Sequence, residues 1–210
     1  MRLWQRQKGA RARWLPDPGL GIELSPRATA EKSGCFMFGY IDERKGIERL
    51  AAALSGGCDG LELAIQGDVA PEYRERLEAE LTRLRAGGVR LDTELTRVPY
   101  ADAMDRMAAS RCALLSFGWR PAGSRVLLEA AAAGTPVVVG NDSAVGRLVE
   151  RHGLGVTVDP ADPAALREAI LSLAGDPGSP DLYAENLRAY AEDLHGDRFP
   201  VEVREAFGLN

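Results

Sequence analysis

Two cations stand side by side in the segment Gly39-Tyr40-Ile41-Asp42-Glu43-Arg44-Lys45-Gly46, just ahead of a stretch with helical periodicity. An anion at a helix start gains from the positive end of the helix dipole and from unpaired N–H groups. Lys45 would add a compact point charge suited to phosphate. Taken alone, Arg44 and Lys45 read first as a solvated pair at a helix entrance, and as a phosphate contact only with support from elsewhere. That support comes from Pro121-Ala122-Gly123-Ser124-Arg125-Val126-Leu127-Leu128-Glu129. Gly123 lets a ligand approach the backbone. Ser124 is a candidate N-cap that leaves first-turn N–H groups aimed outward, where a diphosphate fits. Glu129 falls inside an otherwise apolar run ending Ala130-Ala131-Ala132-Ala133. A carboxylate there is either on an exposed stripe or buried. The apolar character all round the helix favours burial, which is costly without partners. A carboxylate also accepts well from a vicinal diol, as acidic residues do for ribose in dinucleotide folds.

These residues need elements to position them. Apolar runs at 35–40, 61–65, 89–95, 112–117, 136–139 and 155–158 read as strands. Stretches at 46–54, 71–85, 100–109, 124–133, 143–152, 163–174 and about 181–194 read as helices, with Gly87-Gly88, Gly134 and Gly153 as stops and Asp162 as a cap before Pro163. Strands alternating with helices imply βαβ units, and so an α/β, doubly wound, Rossmann-like parallel sheet of about six strands. Ligands on such sheets bind at the carboxyl ends of the strands, which directs attention to the loops 40–46, 66–71, 95–100, 117–124 and 140–143. The expected organisation is a basic, extended approach segment at 1–33, the Rossmann-like domain at 34–175, and a C-terminal helix and tail at 176–210. The last helix, with Tyr183, Leu187, Tyr190 and Leu194 on one side, is expected to pack on its own domain.

Composition narrows the function classes. The chain has 210 residues, of which 45% are hydrophobic and 27% charged, as in ordinary globular proteins. A net charge of −5 gives no general case for nucleic-acid binding. No apolar run is long enough for a transmembrane span, and the first residues lack the apolar centre of a secretory signal. Arg2, Arg6, Lys8, Arg11 and Arg13 stand without an acid among them. They read first as a solvated tail and second as an arm for anionic lipid or an acidic partner, which keeps peripheral membrane contact open. Cys35, Cys58 and Cys112 are odd in number and widely spaced, against a disulfide framework or a zinc site and in favour of a cytoplasmic location.

Gly39 with Lys45-Gly46, then Leu114-Leu115-Ser116, Val126-Leu127-Leu128-Glu129-Ala130 and Ala132-Ala133-Gly134-Thr135-Pro136-Val137-Val138 resemble the C-terminal half of group 1 (family 4) glycosyltransferases of the GT-B fold. Gly153 to Pro160, with Asp162-Pro163, continues the likeness, which covers roughly residues 34–175. The resemblance implies a nucleoside diphosphate sugar as substrate, transfer with retention, and no metal or other cofactor. It puts Glu129 at the second glutamate of a Glu-x7-Glu motif, on the ribose hydroxyls. It puts Lys45 on the diphosphate, and Gly39, Tyr40, Arg44, Gly123, Ser124 and Arg125 around the donor.

Three departures stand out. The first glutamate of the motif falls on Pro121, which cannot accept a hydrogen bond through its side chain; Arg120 or Arg125 would have to contact the donor instead. The family's arginine after the first strand falls on Tyr40, leaving Arg44 as its substitute. The family's N-terminal Rossmann domain, with its acceptor site and histidine, has no counterpart here. His152 and His195 lie away from the loops named above, and Trp119 could cover a ligand or a partner surface. The expectation is a donor-binding domain that is inactive alone and is completed by a complementary Rossmann-domain protein or by self-association. The alternatives are a non-catalytic nucleotide-sugar-binding or scaffold module and, third, a sugar-nucleotide epimerase of the same fold.

Overall fold

The computed structural model describes residues 32–58, 60–115, 117–118 and 123–193. The basic arm, Trp4, Trp14, Ser116, Trp119, Arg120, Pro121 and His195 lie outside the described residues.

Six strands form one all-parallel sheet in the order β3-β2-β1-β4-β5-β6. They are β1 (Cys35–Phe38), β2 (Glu62–Gln66), β3 (Arg90–Glu94), β4 (Cys112–Leu114), β5 (Val137–Gly140) and β6 (Gly155–Val158). The helices between and after them are α1 (Ile47–Leu54), α2 (Arg74–Ala86), α3 (Tyr100–Ala108), α4 (Arg125–Ala132), α5 (Ala144–His152), α6 (Pro163–Gly175) and α7 (Ser179–Asp193). The sheet is a doubly wound α/β sheet, as the alternation of patterns predicts.

Side chains of a strand point alternately to opposite faces, and here both faces are apolar. Cys35 and Met37 of β1 join Ile47, Leu50, Leu77, Leu81 and Leu166 in a core beneath α1, α2 and α6. Phe36, between them, joins Met107, Leu127, Leu128, Val145 and Leu187 in a second core beneath α3, α4, α5 and α7. Leu187 and Tyr190 of α7 are buried in this second core, so the described part of the last helix packs on its own domain. Cys35, Cys58 and Cys112 are free thiols in the interior; Cys35 and Cys112 are neighbours across β1 and β4, with Sγ atoms 3.4 Å apart.

One boundary differs from the sequence expectation for a tertiary reason. The fourth strand stops at Leu114 rather than running to Phe117, although the Leu115 N–H still donates to the Val138 carbonyl. Beyond it the Phe117 and Gly118 N–H groups turn to the carbonyls of Lys45 and Arg44, and Arg49 donates to the Phe117 carbonyl at 2.8 Å. Gly46 makes this junction possible. Its φ is +69°, and a Cβ there would lie 2.3 Å from the Gly118 nitrogen. The order of strands reverses between β1 and β4, so the loops after these two strands flank the crevice of the sheet.

Asp162 caps α6 by accepting from the N–H groups of Ala164 and Ala165 at 2.9 and 3.1 Å. Asp162→Ala removes this cap. The expected cost is about 1 kcal/mol, read as a fall in melting temperature of roughly 2–4 °C.

Candidate functional site

The loop after β1 separates the two cations that the sequence sets side by side. Asp42 caps a single 3-10 turn, Glu43–Lys45, by accepting from the Arg44 N–H. The same carboxylate takes the Arg44 side chain, with Nε 2.7 Å from Oδ2, so Arg44 stays at the surface on Asp42. Lys45 turns the other way. It is only 8% exposed, and its Nζ donates to the carbonyl of Phe38 at the end of β1. The reading as a solvated pair therefore fails for Lys45. Burial pulls its ammonium from the ordinary 10.5 down to about 8, with the charges of Asp42 and then Glu129 opposing that shift.

The loop after β4 brings in the second group. Ser124 takes an extended backbone and caps α4 by accepting from the Leu127 N–H at 3.2 Å. One turn in, Arg125 donates from Nε to Glu129 Oε1 at 3.0 Å, an i,i+4 ion pair. Glu129 is 3% exposed. Burial raises its carboxyl above the usual range; Arg125, the Tyr100 hydroxyl and the Lys45 charge counter this. Gly123 is exposed and a Cβ there would meet open space, so packing does not demand glycine.

The two loops meet. A Cβ on Gly39, whose φ is +109°, would lie 3.4 Å from Lys45 Nζ and 4.0 Å from Val126 of α4. Gly39, Lys45 and the first turns of α4 thus share one end of the crevice, with Glu129 near enough to act on Lys45. Tyr40 stands at the rim, 52% exposed. A cleft of about 430 Å³ opens beside them over the carboxyl ends of the strands, between Gly39, Tyr40, Gly67, Asp68, Arg97 and Tyr100.

Tyr100 was not singled out by its sequence, although the loop 95–100 was. It begins α3 and lines the cleft, near enough to Glu129 and Arg125 for their charges to act on its hydroxyl. A tyrosine at the start of a helix, at a strand's carboxyl end, was the available signal. A second cavity of about 510 Å³ lies at the opposite ends of the strands. Its arginines are engaged: Arg90 pairs with Glu62, and Arg111 donates to the carbonyls of Lys32 and Ala174. Among the described residues there is no cluster of His, Cys, Asp and Glu that could hold a metal ion, and no helix long and apolar enough to cross a membrane. His152 ends α5 and packs against Tyr190, with ring centroids 5.0 Å apart, well away from this loop cluster.

A doubly wound sheet with charged groups gathered at its switch point defines a broad class of ligand-binding α/β domains. Residues 32–176 match the family described as glycosyl transferases of group 1. A phosphatidyl-myo-inositol mannosyltransferase of Mycobacterium leprae is 33% identical over 148 residues, covering 68% of this chain and 37% of that protein. The chain belongs to the group 1 glycosyl transferases. Two solved structures share its fold. WaaG, a glycosyltransferase involved in lipopolysaccharide biosynthesis, aligns with a TM-score of 0.65 at 22% identity, over 85% of this chain and 47% of WaaG. Anabaena HepE, solved with UDP and glucose, aligns with a TM-score of 0.69 at 23% identity, over 85% of this chain and 48% of HepE. The chain spans about half the length of these two structures and less of the mannosyltransferase.

The buried lysine gives a sign that can be measured. Between about pH 8 and 10.5 the unfolded chain holds a proton that folded Lys45 has released, so this penalty on folding is full below that window and is relieved as pH rises through it. Lys45→Met abolishes the titration. In denaturant titrations at fixed ionic strength, the stability of the wild type relative to this variant is expected to increase from pH 7 to pH 10.

Proposed function

We propose that residues 34–175 are the donor-binding half of a retaining glycosyltransferase that takes a nucleoside diphosphate sugar. The observation that carries this reading is the buried Glu129 carboxylate lying within electrostatic reach of the buried Lys45 ammonium, at the switch point of the sheet. In this reading Glu129 accepts from the ribose diol, and Lys45 faces the diphosphate together with the N–H groups at the start of α4. Gly39 and Gly123 leave room for the ligand, with Tyr40, Arg44, Ser124 and Arg125 around it. The mannosyltransferase and the UDP-bound HepE support a sugar donor and a nucleotide of this type.

The chemistry asked of these residues is positioning and charge. A departing diphosphate gains negative charge, and a desolvated ammonium held in place stabilises that charge without reorganising. The arriving diphosphate in turn favours protonated Lys45, which shifts its pKa upward from about 8. No resident cofactor or metal is part of this reading. The acceptor site is supplied from outside residues 34–175, by a complementary Rossmann domain, a partner protein or a second copy, and the isolated chain does not transfer sugar.

A second reading keeps the nucleotide but not the reaction. Pro121 and Tyr40 replace the two charged donor contacts of the motif, which favours a binding or scaffold module with Lys45 and Glu129 retained.

Thermal stabilisation by UDP, GDP and ADP tests the common part of both. A ligand at 100 times its dissociation constant adds about 2.7 kcal/mol. The shift is expected to disappear in Glu129→Ala, and to shrink in the wild type above about pH 8 as Lys45 loses its charge. A flat response to all three nucleotides overturns the donor reading. Sugar transfer by the purified chain alone overturns the dependence on a partner.

A further inference from the structure

The ion pair that Glu129 makes runs against the preferences of its own helix. Arg125 is the first residue of α4. A helix start favours acids over cations, and an i,i+4 pair is stronger with the acid first. Both preferences are reversed here, so helix formation does not account for an arginine at this position. The pair also differs from Arg188 with Glu192 on α7, which has the same spacing. That pair joins two exposed side chains through Nη1 at 2.9 Å, a geometry worth little. Arg125 is half-exposed, yet it reaches inward to a buried carboxylate, and it does so through Nε, 3.0 Å from Oε1. Nε is the nitrogen bonded to the side-chain stem, so this contact holds the guanidinium and the carboxylate in one fixed orientation. A carboxylate offers roughly four lone-pair directions. Arg125 takes one on Oε1 and stops the carboxylate from turning, which fixes where the others point.

We propose that Arg125 is a positioning residue whose Nε contact orients the Glu129 carboxylate for two hydrogen bonds from a vicinal diol, and so sets a preference for ribo- over 2′-deoxyribonucleotides. The proposal rests on the reading of Glu129 as the acceptor for the ribose diol. A diol needs two acceptor directions held at once, whereas a single hydroxyl tolerates a carboxylate that turns. Loss of the contact therefore weakens ribonucleotides selectively. Lys45, from the loop after β1, and Tyr100, from α3, also act on this carboxylate, and both stay in place when Arg125 is replaced.

Calorimetric titration of the full chain with UDP, GDP, ADP and their 2′-deoxy forms tests this in two variants. Arg125→Met keeps a long unbranched stem and removes both the charge and the fork. Arg125→Lys keeps a cation on the helix for the buried carboxylate and exchanges the planar fork for a rotating point charge. The wild type is expected to prefer the ribo form of its best nucleotide by about tenfold or more. In Arg125→Met the ribo form weakens roughly fivefold while the 2′-deoxy form stays within about twofold. In Arg125→Lys the ribo-to-deoxy ratio falls by roughly threefold. A second readout needs no nucleotide. The Glu129 carboxyl, followed by ¹³C NMR, is expected to titrate at higher pH in Arg125→Met than in the wild type, because the lost cation favoured the ionised form. In Arg125→Lys it stays near the wild-type midpoint. A ratio unchanged in either variant, or a midpoint unmoved in Arg125→Met, overturns the role of Arg125. Equal weakening of both nucleotide forms overturns it too, since a direct contact to the diphosphate or a damaged fold has that effect. All of these outcomes leave the nucleotide reading standing. Failure of the wild type to bind any of the six nucleotides overturns both.

Discussion

A carboxylate enclosed by an alanine- and leucine-rich helix has to be met by cations and hydroxyls, because an isolated charge in such a place is far too costly. The switch-point end of this domain is arranged around that requirement. Glu129 is hydrogen-bonded by an arginine of its own helix, with Tyr100 of the neighbouring helix and Lys45 close enough to act on its charge. These groups come from three different loops at the carboxyl ends of the strands, so one buried charge lies where three otherwise independent segments meet.

Lysine at position 45 carries the converse constraint. Its burial depends on the turn formed by residues 43–45, on the Phe38 carbonyl, and on the close approach of Gly46 to Gly118. The result is an ammonium deprived of water but supplied with a carbonyl and a distant carboxylate, a state that a polyanion would relieve. The neighbouring Arg44, held on Asp42, remains solvated. Two adjacent residues of the same charge thus have opposite environments.

The contrast explains what could be read in advance. Strand and helix order followed from period-2 and period-3.6 patterns punctuated by Gly87-Gly88, Gly134 and Gly153, since those signals are local. The caps at Ser124 and Asp162 were local too. The apolar pattern overruns β4 because Phe117, apolar and extended in appearance, gives its N–H group to the Lys45 carbonyl rather than to the sheet. The burial of Lys45 was hidden for the same reason: nothing within a few residues of it announces the tertiary contact. Glu129 was legible because its own helix is apolar on every side. Tyr100 was not, because its partners lie on the following helix and its spacing to them has no periodic signature.

The buried thiols have a practical meaning of their own. Cys35, Cys58 and Cys112 all lie inside the described fold, two of them on the central strands, and the neighbouring Cys112 thiol, with burial second, pushes the Cys35 thiol up, away from reactivity. An alkylating reagent in solution can reach the sulfurs of Cys35 and Cys112 only when the strands part. The rate at which these two thiols take up label is then a gauge of how often the interior opens, with no fluorophore or tag to be introduced.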